Sequence, residues 1–318
     1  MAQYGYKLMT EEHGPKALVT NVQRAEGAGF DFCSISDHFH PWLESQGHAP
    51  FAWSVLGAIA HATSTIGITT GLTCPILRYH PAIIAQAAAT IALLSDDRFT
   101  LALGAGERLN EHVTGARWPS IPERHRMLAE AVDVMRMLWT GKIQNYEGEH
   151  YYLHHAQLYD LPEKDIPVVI GVSGEHSINL AVEKAQGIMA TEPKAELVDL
   201  FNSKKQGGGP AYGEVPLAWA PTMEQGRRIA HQRFRFMAFD WSVNSELPSV
   251  KAFEAVSQYV TEDDVAEQIS CGPDPEVHLK AIRAFVEAGF SHIVLVGIGD
   301  DQEGFIEFFE KELRPKLG

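Results

Sequence analysis

Short apolar runs of strand length alternate with longer amphipathic segments from one end of the chain to the other. Tyr4–Met9, Phe32–Ser36, Ile66–Gly71 and Phe99–Gly104 read as strands. Between them, Pro15–Ala28, Ala52–Ala62 and the Ala-rich Pro81–Leu94 read as helices, and a leading proline suits a first helical position that needs no N–H. Pro122–Trp139 is a long helix, with Val132, Met135, Met137 and Leu138 at apolar positions near helical spacing. Gln144–Leu158 predicts a hairpin, its aromatics set around the Gly-containing turn at Tyr146–Tyr151. Val168–Val172, Ile188–Thr191, Pro216–Ala220 and Ile293–Val296 complete the strands, and Pro275–Ala288 and Gln302–Leu313 are the closing helices.

Strands that alternate with helices imply a parallel sheet. At about 250 residues or more, such a sheet closes naturally into a TM-free α/β unit of the TIM (β/α)8 barrel type. A doubly wound open sheet is the alternative, but no phosphate-binding glycine fingerprint follows the first strand. The expected organisation is one barrel domain over residues 1–318. It carries an inserted hairpin at about 143–160 and a helical insertion at about 222–270, with helices at Glu224–Ala238, Val250–Tyr259 and Thr261–Gln268. Lys204–Pro210, with three glycines in a row, is expected to be a mobile loop.

Composition narrows the function classes. The 318 residues are 45% apolar and 21% charged, enough for a sizeable core. Asp and Glu number 41 against 26 Lys and Arg, a net charge of −15, with no basic cluster. That argues against a nucleic-acid or membrane-surface partner, while leaving room for a local basic pocket. Cys33, Cys74 and Cys271 are few, odd in number and far apart, so neither a disulfide framework nor a zinc ribbon is expected. No charged and apolar leader opens the chain, and no run approaches the roughly 20 apolar residues of a membrane span. A soluble cytoplasmic protein is the expectation.

The candidate chemistry gathers at strand ends, where a barrel keeps its active site. Strand two ends in Ser36-Asp37-His38, strand three in Gly71-Leu72-Thr73-Cys74-Pro75, and strand four in Gly104-Ala105-Gly106-Glu107-Arg108-Leu109-Asn110-Glu111. Histidine exchanges protons near neutral pH, and a neighbouring carboxylate orients it. Glycines allow close approach of backbone to a flat or phosphorylated ligand. Each residue also has an ordinary reading: His38 as a satisfied cap, Glu107 as a helix-start carboxylate, Trp42 as a packing anchor, Lys194 as a solvated helix-start lysine. His38-Phe39-His40 has the form of a metal-ligand pair, but it follows the second strand and no carboxylate–lysine set accompanies it. No metal is expected.

Several runs together carry a family likeness: Gly5-Tyr6-Lys7, Ser36-Asp37-His38-Phe39, Pro41-Trp42, Gly47-His48-Ala49-Pro50-Phe51, Arg78–Gln86 and Gly104–Glu111. The chain resembles the luciferase-like, coenzyme F420-dependent oxidoreductases over nearly its whole length, most specifically in the first 115 or so residues. The resemblance implies a barrel with insertions that binds the 8-hydroxy-5-deazaflavin F420 at the strands' C-terminal face, and a homodimer. It implies His38 as the base taking an alcohol proton, Glu107 as the acid near the ring, and Trp42 and Glu11 beside the reacting centre. Asp37, Cys74, Gly106 and Asn110 are the implied cofactor contacts. Gly71-Leu72 falls at the family's non-prolyl cis peptide, and the amides of Ser173 and Gly174 fall where the family meets the phosphate tail.

The substrate side departs from the family's sugar-phosphate enzymes, which fix the phosphate with two lysines and an arginine. Lys194 matches one lysine, Glu267 replaces the other, and Arg283 is the candidate arginine. A carboxylate facing a dianion is repulsive. Glucose 6-phosphate is therefore expected to be a poor substrate, and a small alcohol or carbonyl compound the better one. The alternative within the resemblance is an FMN-dependent monooxygenase; a deazaflavin carrier without turnover is the alternative outside catalysis.

Overall fold

The computed structural model describes residues 2–317. Its first half is regular: β1 (Gln3–Leu8), α1 (Pro15–Gly27), β2 (Phe32–Ile35), α2 (Ala52–Ala62), β3 (Gly67–Thr70), α3 (Pro81–Leu94) and β4 (Phe99–Leu103). A helical turn α4 (Arg108–Glu111), the long α5 (Ile121–Trp139) and a hairpin β5 (Gln144–Glu147) and β6 (Tyr152–Ala156) follow. Then come β7 (Val168–Gly171), α6 (Glu175–Lys184), β8 (Gly187–Ala190), α7 (Ala195–Lys204) and β9 (Ala211–Ala218). Four helices, α8 (Met223–Phe234), α9 (Trp241–Asn244), α10 (Val250–Ser257) and α11 (Glu262–Ala266), precede a two-residue strand β10 (Ser270–Cys271). The chain ends with α12 (Pro275–Glu287), β11 (His292–Gly297), α13 (Gln302–Phe308) and α14 (Arg314–Leu317).

Eight strands close in the order β1-β2-β3-β4-β7-β8-β9-β11, all parallel, with β11 returning to β1. This is a TIM barrel. β2 and β8 are buried at every position, as expected when side chains pack inward on one face and under helices on the other. Phe32, Ala102, Val169, Met189, Tyr212 and Val294 fill the interior. Leu18, Asn21, Val22 and Ala25 form the buried stripe of α1 at helical spacing. No helix among the described residues is long and apolar enough to cross a membrane.

Some boundaries differ from the sequence expectation. The seventh barrel strand begins at Ala211, ahead of the expected Pro216, because Gly213 and the inward-facing Glu214 interrupt its apolar run. Helix α8 ends at Phe234 and tightens into a 3-10 turn through Ala238. The 204–210 loop is tethered: the Lys205 ammonium donates to the carbonyls of Val182 and Ala185 at 3.0 and 2.6 Å. The hairpin is also anchored. Glu130 on α5 accepts from the Tyr151 amide at 3.0 Å, and the Tyr151 hydroxyl donates to the Pro75 and Ile76 carbonyls at 3.1 Å. It thus braces the loop that leaves β3.

Candidate active site

Pairing of β1 with β2 sets Leu8 beside Ile35, so the residues that follow each strand emerge together at the barrel mouth. Glu11, from the first, is buried beneath His38, from the second, with His38 Nε2 3.4 Å from Glu11 Oε1. Glu11 also accepts from the hydroxyls of Ser36 and Thr10. Burial works to raise its pKa, but the His38 charge and the Ser36 hydroxyl outweigh that and hold it below the ordinary glutamate value. Glu107, from the end of β4, places Oε1 4.0 Å from the same His38 nitrogen.

Asn110 ties this group together. Its Oδ1 accepts from the amides of Phe39 and His40 at 2.8 and 2.9 Å, which fixes the orientation of its side-chain amide. Its Nδ2 then donates to Glu107 Oε1 at 2.5 Å and faces His38 Nδ1 at 2.9 Å. The His40 carbonyl lies 3.1 Å from that same Nδ1. A proton on Nδ1 is therefore matched by the carbonyl and a lone pair by Asn110, so the surroundings support both neutral tautomers. Trp42 packs on the imidazole at 4.8 Å and is stacked from behind on Phe236 at 4.9 Å, with Phe253 edge-on.

The ends of β3, β4 and β7 form a ledge beside this group. The Gly71–Leu72 peptide is cis, and Gly71, Leu72, Ala105 and Gly171 are half-buried. Leu72 lies across the mouth so closely that a Cβ on Gly171 would come within 2.5 Å of its Cδ1, and one on Gly104 within 3.1 Å. Gly106 has φ +76°, a left-handed conformation that favours glycine, and turns the chain over the buried Glu111.

The family model described as luciferase-like monooxygenase matches residues 2–292. The chain belongs to the luciferase-like family. An F420-dependent glucose-6-phosphate dehydrogenase of Tsukamurella paurometabola is 34% identical over 99% of this chain and 98% of its own length. One from Amycolatopsis mediterranei is 35% identical over 100% and 99%. A solved F420-dependent secondary alcohol dehydrogenase, in complex with an F420-acetone adduct, is 29% identical, covers 98% of each chain and superposes with a TM-score of 0.91. Within the luciferase-like family the chain therefore stands among the F420-dependent oxidoreductases.

Not every residue expected to serve that luciferase-like site reaches it. Asp37 is 3% exposed, and its carboxylate is saturated by the protein. Oδ1 accepts from Arg78 Nη2 at 3.0 Å and the Tyr79 hydroxyl at 2.9 Å; Oδ2 accepts from the Thr73 hydroxyl at 2.7 Å and Trp53 Nε1 at 3.2 Å. With four donors on it, this carboxylate anchors the loop bearing His38. Arg283 sits on the outer helix α12, bonded to the Lys316 carbonyl at 3.4 Å. The neighbouring Leu317 carbonyl accepts from Tyr4 at the start of β1, so Arg283 lies at the opposite end of the barrel from His38. Lys194 is on the correct rim, after β8, but it is paired with Glu192. Glu267 is exposed at the end of α11 and makes no ion pair with the His38 group.

Ser173 and Gly174 follow β7, and both amides donate to the Ser177 hydroxyl, at 3.1 and 3.2 Å. Cys74 is buried beside Gly104, and burial pushes its thiol pKa well above the ordinary value, so it is no thiolate. Sequence reasoning missed the Trp53, Thr73, Arg78 and Tyr79 cage, although Arg78 and Tyr79 lie inside a run that carries the family likeness. It also gave no role to Glu111, which is buried at the end of the Gly104–Glu111 run and whose pKa is pushed up to about 8, chiefly by desolvation. Among the described residues, no group of three or more histidine, cysteine or acidic side chains forms a metal site.

Proposed function

We propose that this protein binds coenzyme F420 on the ledge at the C-terminal face of the barrel and interconverts a small uncharged alcohol and its carbonyl compound. The observation that carries this reading is His38 set between two carboxylates at the edge of half-buried backbone. The residues fit such a group. Gly71, Leu72, Ala105 and Gly171 offer a low surface for a flat ring, and the rim amides of Ser173 and Gly174 would be donors for a phosphate group once the Ser177 hydroxyl turns aside. When bound, F420 supplies a two-electron hydride carrier that does not activate oxygen.

The chain's own residues then handle protons. His38 Nε2 takes the alcohol's O–H proton, with Nδ1–H held on the His40 carbonyl. Glu11 at 3.4 Å balances the imidazolium that results. Glu107, oriented by Asn110, would serve as the acid toward the cofactor ring. Trp42 closes the substrate side and excludes water.

The reading excludes a phosphorylated sugar as the preferred substrate. Its support is that Lys194 already has Glu192 as an ion-pair partner and that Arg283 lies at the far end of the barrel. This separates the chain from relatives whose names specify glucose 6-phosphate. The test is titration of purified protein with F420 and with FMN, then a panel of secondary alcohols, ketones and glucose 6-phosphate followed by deazaflavin absorbance. His38→Ala should cost about 100- to 10,000-fold in turnover while F420 binding persists. Tight FMN binding with no response to F420 would overturn the cofactor, and rapid turnover of glucose 6-phosphate the substrate class.

A further inference from the structure

Inside the barrel, below the ledge, lies a charged pair that the proton chemistry above does not use. Lys7 on β1 and Glu214 on β9 form an ion pair in an interior otherwise filled by Phe32, Ala102, Val169, Met189, Tyr212 and Val294. Lys7 is 4% exposed, whereas 17% of the Glu214 side chain remains accessible although it faces inward. The Lys7 ammonium also donates to the Gly71 carbonyl at 2.7 Å, directly under the ledge. Packing there is close. A Cβ on Gly71 would lie 2.9 Å from Lys7 Nζ and 3.2 Å from Glu214 Oε1, and it would overlap the Ser34 hydroxyl.

Burying two opposite charges costs desolvation that an apolar pair of similar size would avoid, so stability alone is a weak reason for placing them there. What the pair does have is position and an unused acceptor. Lys7 engages one Glu214 oxygen; the second accepts no hydrogen bond from any described residue. The Lys7 charge also reaches Glu11, where it favours the ionised form beneath His38.

We propose that Lys7 and Glu214 form the floor of the cofactor pocket: Lys7 positions the Gly71 carbonyl, and the free oxygen of Glu214 accepts the imide N–H of the deazaflavin ring. The proposal rests on the F420 reading above. It makes Lys7 a positioning residue and Glu214 a ligand contact, and it explains why an accessible carboxylate is kept in an apolar barrel.

The experiment measures F420 binding by quenching of its fluorescence, without substrate, alongside the melting temperature of each unliganded protein. Glu214→Gln keeps an acceptor oxygen and should bind within about 3-fold of wild type. Glu214→Leu should weaken binding by about 10- to 100-fold, the equivalent of one hydrogen bond to a charged group. Lys7→Met leaves a buried carboxylate without its partner. Should it fail to fold, the double variant Lys7→Met/Glu214→Leu restores an apolar interior and should fold yet bind as weakly as Glu214→Leu. A deazaflavin methylated at the imide nitrogen lacks the donor and should bind wild type and Glu214→Leu alike. Unchanged F420 affinity in folded Glu214→Leu, or independent effects of methylation and mutation, overturns the proposal while leaving the F420 reading intact. Failure of the wild type to bind F420 overturns both.

Discussion

Replacing Asp37 by asparagine exchanges one acceptor oxygen for an amino group at the centre of a four-donor cage. If the asparagine oxygen turns toward Arg78 and Tyr79, its nitrogen meets Thr73 and Trp53. The Thr73 hydroxyl rotates and accepts; the Trp53 indole only donates, so it loses its partner. One buried donor left unsatisfied costs about 1–3 kcal/mol. Loss of the charge facing Arg78 adds to this. The sum is about 3 kcal/mol, at the lower end of what breaking a buried ion pair costs. Asp37→Ala, which removes both oxygens, should cost about 4 kcal/mol on the same scale. For a chain of 318 residues, with an unfolding entropy of about 2.1 cal/mol/K per residue, a loss of about 3–4 kcal/mol lowers the melting temperature by roughly 4–6 °C. Thermal and urea melts of the single variants, of Trp53→Phe and of Asp37→Asn/Trp53→Phe measure it. Removing the orphaned indole should recover about 1 kcal/mol relative to additivity. Wild-type stability in Asp37→Asn combined with lost F420 binding would refute the anchor and restore a direct cofactor contact.

Glu111 gives a pH-dependent prediction. Its folded pKa of about 8 lies above the ordinary glutamate value, so its contribution to stability is complete below the unfolded pKa and fades as pH rises toward 8. Glu111→Gln should therefore gain on wild type by up to about 1.4 kcal/mol per pH unit across that window. Paired melts at the two ends check it, and parallel curves would refute it. Trp42→Ala opens a hole against Phe236 and Phe253 and should cost about 3–5 kcal/mol. It should also raise the substrate KM more than the F420 dissociation constant, as steady-state kinetics beside cofactor titration would show.

Much of the barrel was legible because fully buried strands such as β2 and β8 leave apolar runs of a length that few helices share. Strand β9 was read short for the opposite reason: the interior charge of Glu214 erased the signal at its start. His38 and Glu107 were visible as polar residues at strand ends, but Glu11 came only through the resemblance. Nothing local shows that Glu11 and His38 meet; the β1–β2 register does that. The cage around Asp37 was not legible because its four donors come from α2 and from the loop between β3 and α3, a convergence that sequence spacing does not encode. For Arg283, amphipathic spacing reports which face of α12 is buried and says nothing about which end of the barrel a residue approaches.

The stacking of Trp42 on Phe236 divides the site between two parts of the chain. The ledge is built from β3, β4 and β7, whereas the wall behind Trp42 comes from the segment between β9 and β10, outside the closed ring. Changes of residue or length in that segment alter the wall without passing through any strand end that carries the ledge. The wall beside His38 is thus an insertion, and the ledge belongs to the barrel ring itself.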